Sequence, residues 1–304
     1  MKAHRLLIAL MMIFFSVSCT KEISSEQDDD PVVDPPVSDT TSTPKDKLLI
    51  RAVYYEGTYP KDSIVDTYTY DQNKRVISVK SESFGEGFDN DYYFNTEHIF
   101  YRDADGIIKR ITTVYTYYEG YTPERTDSAV LELFHDPISK HYTSGIETIN
   151  LVPIYPDQDD KISDSVIYTY DAKDHIVLYQ RFRKDILTNV VFEAQRFEYV
   201  YDLNGNIIKM LYNENFDNDG DPLRDLLLEY DDKRNPFASL GNEALLMGIH
   251  SIGTPSPNNP VKQVSSGAEL GRITYLYDID DYPVKADATY NTSLEKAIAY
   301  FYYQ

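Results

Sequence analysis

The sequence predicts an all-β protein: an antiparallel meander of about 14 strands built from repeated β-hairpins, in one sheet that curls strongly or closes on itself. Three observations predict it. A Tyr-x-Tyr-Asp phrase recurs at Tyr68, Tyr168, Tyr199 and Tyr275, with variants at Tyr101 and Tyr230. Its Asp positions 71, 103, 171, 202 and 231 are 32, 68, 31 and 29 residues apart, which is one or two periods of a repeat. Helical periodicity is poor everywhere except Asn242 to Met247, read as a short helix capped by Asn242.

The first 18 residues read as an export signal. Lys2 and Arg5 precede an apolar run from Leu6 to Phe15, too short to span a bilayer as a helix of about 20 residues. Ser16-Val17-Ser18-Cys19 resembles the lipobox of bacterial lipoproteins, with Ser16 where that family usually has Leu. The resemblance implies cleavage before Cys19, the only Cys of the chain, and its lipidation. Residues 19–47 then hold four Pro and a run of acids that includes Asp28, Asp29 and Asp30, with few large aliphatics. Such a segment cannot bury enough surface to offset its ordering entropy, so it reads as a disordered tether. Its fully extended reach is roughly 90 Å. Acids this close to the lipid-bearing Cys resemble those of surface-exposed Bacteroidota lipoproteins. The resemblance implies an outer-membrane location facing the cell exterior, with the periplasmic leaflet as the alternative.

Residues 48–304 form a single repeat domain. In each copy Tyr-x-Tyr alternates with polar residues, the period of a strand, and aromatic residues favour strands. Asp, Asn and Gly follow, as in Asp202-Leu203-Asn204-Gly205, and make a tight turn. Aliphatic pairs such as Ile207-Ile208 begin the return strand. A sheet of this many strands does not stay flat.

Tyr201-Asp202-Leu203-Asn204-Gly205-Asn206-Ile207 resembles the Tyr-Asp repeat of the RHS proteins, whose hairpins spiral into a shell. The chain as a whole is similar to an uncharacterised Bacteroidota lipoprotein family, a domain of unknown function. The similarity is carried by Tyr230 to Phe237, by Asn258-Asn259-Pro260 and by Tyr275 to Lys285. It implies fold and location and no activity.

Composition limits the partners. The chain has 29 Lys+Arg against 50 Asp+Glu, a formal charge of −21, which argues against nucleic acid. One Cys excludes an internal disulfide and a Cys-rich zinc site. The His residues form no metal-ligand pair, and no nucleophile elbow, phosphate loop or dinucleotide fingerprint is present. No enzyme is expected, and a glycoside hydrolase with unrecognised paired carboxylates is the remaining catalytic alternative.

The sequence offers two candidate binding sites. Asn215, Asp217, Asp219 and Asp221 fall in an Asp/Gly-rich segment like the start of a calcium loop, but Leu226 stands where the bidentate Glu belongs. A hairpin turn is the simpler reading, and a weak calcium site is the alternative. The 28 Tyr are the second candidate: packing in the sheet interior and in cross-strand pairs is the simpler reading, and an exposed aromatic platform is the alternative. Tyr117, Tyr118 and Tyr121 lie off the main phrase and read as the exposed members, in a stretch, 115–160, that looks irregular. With 235–270, this was the expected place for recognition loops. The expected function was therefore a lipid-anchored cell-envelope protein with a non-catalytic binding role toward a glycan, an envelope protein or a host surface. A structural part in a lipoprotein assembly was the alternative.

Overall fold

The computed structural model describes residues 47–304 apart from 57–62, 85–91, 120–121, 152–160, 186–187, 215–222, 247–254 and 292–295. Sixteen strands follow one another: β1 (Leu49–Glu56), β2 (Ser63–Tyr70), β3 (Val76–Phe84), β4 (Tyr92–Arg102), β5 (Ile108–Glu119), β6 (Thr122–His135), β7 (Tyr142–Asn150) and β8 (Lys161–Tyr170) form the first half. The second half is β9 (Ile176–Lys184), β10 (Val191–Tyr201), β11 (Ile207–Glu214), β12 (Arg224–Arg234), β13 (Asn258–Ser265), β14 (Ala268–Tyr277), β15 (Pro283–Tyr290) and β16 (Lys296–Tyr303). Each pairs antiparallel with the next, and β16 pairs with β1, so the sheet is a closed barrel. Closure removes both sheet edges.

The sequence count of about 14 is two short. β1 carries no Tyr-x-Tyr-Asp phrase. The β13–β14 hairpin turns at Ser266-Gly267, inside a stretch that looked irregular. The stretch 115–160 is not irregular either: most of it belongs to β5, β6, β7 and their mutual pairing.

The repeated Asp does what the turn reading required. Asp202 Oδ1 accepts from the backbone N–H of Asn204 and Asn206, both at 2.8 Å. Asp71, Asp103, Asp171 and Asp278 repeat this pattern at their own turns. The fourth turn residue takes a positive φ, as at Gly205 (φ 88) and Gly106 (φ 85). Asp136 heads a turn one residue longer, closed by its backbone N–H to His141 O.

The phrase's second Tyr has a role that periodicity alone did not reveal. Tyr70 and Tyr201 donate to Leu49 O and Ile176 O, Tyr230 of the variant phrase donates to Ile207 O, and Tyr303, outside the phrase, donates to Pro283 O, each at 2.7 Å. Each hydroxyl ties a hairpin to the start of a neighbouring strand at the tight-turn end. Net values of about 0.5–1.5 kcal/mol per bond make these latches a cooperative girdle rather than single strong contacts.

The short helix is real in place but different in kind. It is a 3-10 helix, η1 (Ala238–Leu245), with Gly241 at φ 51 breaking it inside. Asn242 does not cap it, because its side-chain amide donates to Asp174 O. The β12–β13 connection that carries η1 is tucked into the tight-turn end of the barrel. Phe237 and Leu240 pack with Leu49, Val79 and Phe301 in one apolar cluster. Leu245 and Leu246 pack with Ile111, Tyr179 and Phe197 in the other. One element thus joins both halves of the core.

Candidate functional site

Strand alternation fixes what faces inward. In β2, Asp66 and Tyr68 are buried while Thr67 and Thr69 are exposed, and in β8, Asp164, Val166 and Tyr168 are buried between exposed Ser163, Ser165 and Ile167. The interior is the apolar and aromatic side. It is close-packed: a Cβ on Gly145 would lie 2.9 Å from Glu132 O and 2.8 Å from Val166 Cγ2.

The tight-turn end is sealed by η1. Arg102, on the last turn-side position of β4, donates to both carboxylate oxygens of Glu243 at 2.5 and 2.6 Å. It also donates to Val76 O and Gly106 O, both at 3.0 Å. Tyr168 donates to Leu246 O at 2.6 Å. The residues that carried the family similarity hold this plug at both ends. Asn235 donates to Ser256 O at 2.8 Å, Asn258 to Lys233 O and Asn259 to Arg234 O, both at 3.0 Å. Asp231 keeps the turn bond from Lys233 N at 2.9 Å and also accepts from Asn259 N at 3.1 Å and from the Tyr277 hydroxyl.

Toward the other end the interior becomes polar. Arg183 forms a bidentate pair with Asp164, Nε to Oδ1 at 2.9 Å and Nη2 to Oδ2 at 2.7 Å, and Asp164 is 1% exposed. Glu147 stands opposite Asp164 in the β7–β8 ladder and lies 3.0 Å from Arg181 Nη2. Arg181 Nε donates to the Tyr179 hydroxyl at 3.1 Å. Arg125 pairs with Asp127, which is also buried. Across the barrel, Asp66 lies among Tyr54, Tyr68 and Ser81, and burial pushes its carboxyl up to about 6. His98 is buried against the Thr113 hydroxyl at 3.0 Å, and burial pushes its imidazole down to about 4.

The outer wall is mixed: Phe134, Ile146, Ile167, Val200 and Leu276 are exposed there among charged pairs. Lys80 pairs with Glu82, Arg196 with Glu198 and Lys262 with Glu229, each at 2.6 Å, and Arg110 stands opposite Glu132. A lipid-facing barrel wall instead carries an apolar belt, and each Arg or Lys at the bilayer midplane there costs about 2–4 kcal/mol. No helix among the described residues is long and apolar enough to cross a membrane.

The expected site residues separate. Tyr117 points inward beside Arg125, whose guanidinium carbon is 5.1 Å from its ring centroid, and burial pushes its hydroxyl up to about 12. Tyr118, the next residue, points outward and accepts from Asn95 Nδ2 at 3.3 Å. They form no common platform. Tyr121, Cys19, Asn215, Asp217, Asp219 and Asp221 lie outside the described residues. Among the described residues no group of three His, Cys, Asp or Glu is placed to hold a metal. The paired interior charges were missed because Glu147, Asp164, Arg181 and Arg183 look like ordinary solvated strand residues. Their one signal was an inward register shared with buried Val166 and Tyr179.

No family model matches the sequence, and no curated protein matches it. The fold is similar to that of a porin-like protein from Bacteroides uniformis, with 10% sequence identity and a TM-score of 0.51 over 84% of this chain and 98% of that one. A porin-like protein from Bacteroides vulgatus aligns over 85% of this chain and 99% of that one, at 13% identity and a TM-score of 0.45. The similarity to Bacteroidota proteins therefore stands at the level of the barrel, and nothing ties the chain to the RHS shell. The expected function is overturned. The lipid-anchored domain that offers an exposed aromatic face to a glycan, an envelope protein or a host surface, and its assembly-part alternative, both need a free face or edge. The sheet instead closes as a porin-like barrel and turns most of its paired tyrosines inward.

Proposed function

We propose that the chain is a sealed, porin-like barrel of the outer membrane that conducts no solute through its interior and stands with its wall in water. The observation that carries this reading is the filled interior: η1 closes one end, and buried ion pairs occupy the layer above it. Fold similarity to a porin-like protein and the N-terminal export pattern support the location. The charged wall supports a barrel beside the bilayer rather than across it.

Both chain ends leave the barrel at the plug end. Leu48 and Gln304 exchange backbone hydrogen bonds at 3.3 and 3.1 Å, and Lys47 Nζ reaches Asp278 and Asp280 of the β14–β15 turn at 2.6 and 2.7 Å. Liposome swelling tests the sealed interior. Vesicles carrying the protein are expected to swell in small sugars no faster than empty ones, and porin-like swelling rates would overturn the proposal.

A further inference from the structure

We infer that the outer face of β4–β7 is a self-association surface, on which a second copy of this chain packs across a two-fold axis along the β5–β6 seam. The outward side chains there form a grid set by the strand ladders. One row runs Tyr101, Arg110, Glu132 and Ile146 across the four strands, and the next runs Ile99, Thr112, Val130 and Thr148. Tyr101 is 41% exposed and Ile146 is 47% exposed. Phe134, two residues along β6 from Glu132, is exposed as well and pairs with Ser144, so it is a diagonal neighbour of Ile146.

Charge sets this face apart. The chain carries a formal charge of −21, and β10–β14 turn Arg196, Glu198, Lys209, Glu229, Lys262 and Arg272 outward. In the two rows of β4–β7, the only charges are Arg110 and Glu132, of opposite sign. At the margins Glu97 stands opposite Lys80, and Lys109 pairs with Asp103 at 3.2 Å, so the face as a whole is balanced. Depletion of charge at the centre is the compositional mark of an interface core. Two copies of so acidic a chain repel each other on most other approaches.

The order within the rows names the occupant. A half-turn about the β5–β6 seam sets Arg110 of each copy against Glu132 of the other, and Tyr101 of each against Ile146 of the other. In the next row Thr112 meets Val130 and Ile99 meets Thr148. Each copy carries both members of every pair, as an isologous contact requires. An unrelated partner would not demand that order. Both charges are available for it: the Arg110 guanidinium carbon lies 4.0 Å from the Tyr101 ring centroid, and Glu132 forms no ion pair among the described residues. Four strands about 4.8 Å apart, with four outward positions each about 6.7 Å apart, cover roughly 500 Å² per copy. A standard interface takes about 800 Å² per partner, so this dimer is weak and forms as concentration rises. The inference goes beyond the sealed-barrel reading and does not depend on it.

Sedimentation equilibrium of the full chain in detergent-free buffer, from about 1 to about 200 μM, is expected to show a monomer–dimer equilibrium. Arg110→Glu and Glu132→Arg are each expected to raise the dissociation constant about tenfold or more, because each sets like charges together at both symmetric contacts. Mixed in equal amounts, the two variants are expected to recover dimer formation, since every contact again joins Glu to Arg. Both positions are exposed, so the far-ultraviolet circular dichroism of each variant is expected to match the parent. A parent that stays monomeric throughout, single variants that dimerise like the parent, or a mixture that associates no better than its separate components would each overturn the inference.

Discussion

Arg183→Met is expected to lower folding stability by about 3–5 kcal/mol, the largest effect of any single interior charge deletion. Its guanidinium holds both oxygens of Asp164, which is 1% exposed. Removing the cation leaves that carboxylate buried, facing Glu147 directly across the β7–β8 ladder with only Arg181 to offset the two. Like charges opposite each other in a sheet repel, and a buried site screens them poorly. Urea unfolding at neutral pH measures the loss. The deficit is expected to shrink as pH falls into the carboxylate range, because protonation removes the orphaned charge. The double variant Arg183→Met with Asp164→Leu is expected to recover most of the stability, since an apolar pair of similar volume needs no partner. A single variant as stable as the parent would mean that water reaches Asp164, and the packed interior would be wrong at that level.

Asp66→Asn is expected to stabilise the barrel at neutral pH and to make it more sensitive to acid. The ordinary Asp value of 3.8 rises to about 6 in the fold, so the folded state binds the proton more tightly than the unfolded one. Stability from this group therefore grows as pH falls from about 6 toward 3.8, and at pH 7 the buried charge costs on the order of 3 kcal/mol. His98 acts the other way. Its ordinary value of 6.5 drops to about 4, so its contribution is present above 6.5 and is lost as pH falls toward 4. The two slopes oppose each other over nearly the same window in the parent chain. Asp66→Asn removes one of them, so its stability is expected to fall on going from pH 7 to pH 4. His98→Gln is expected to do the reverse. Stability profiles of both variants that run parallel to the parent's would contradict the burial of these groups.

Much of the barrel was legible in the sequence, for a reason visible in single residues. Asp71, Asp171 and Asp202 bond their own turn, so a local signal specifies local structure. The closing contact between β1 and β16 has no such signal, because a ladder 250 residues apart in sequence depends on what the other fourteen strands leave over. The plug was legible only as phrases without a purpose. Asn235, Asn258 and Asn259 look like turn formers, and only the fold shows that they hold an inserted connection. The direction of the tyrosines was open in the sequence, with interior packing the simpler reading. A Tyr alternating with Thr, as in Tyr68-Thr69-Tyr70, fits an exposed aromatic face and a buried one equally well, and closure of the sheet decides between them.

This barrel keeps a porin-like fold while its interior is packed with aromatic side chains and paired charges. The most direct measurement is the behaviour of the purified barrel in detergent-free buffer, read by sedimentation and near-ultraviolet circular dichroism. A monodisperse species with ordered tyrosine signals is the expected result. A chain that aggregates without detergent and orders its tyrosines only in micelles would contradict the account.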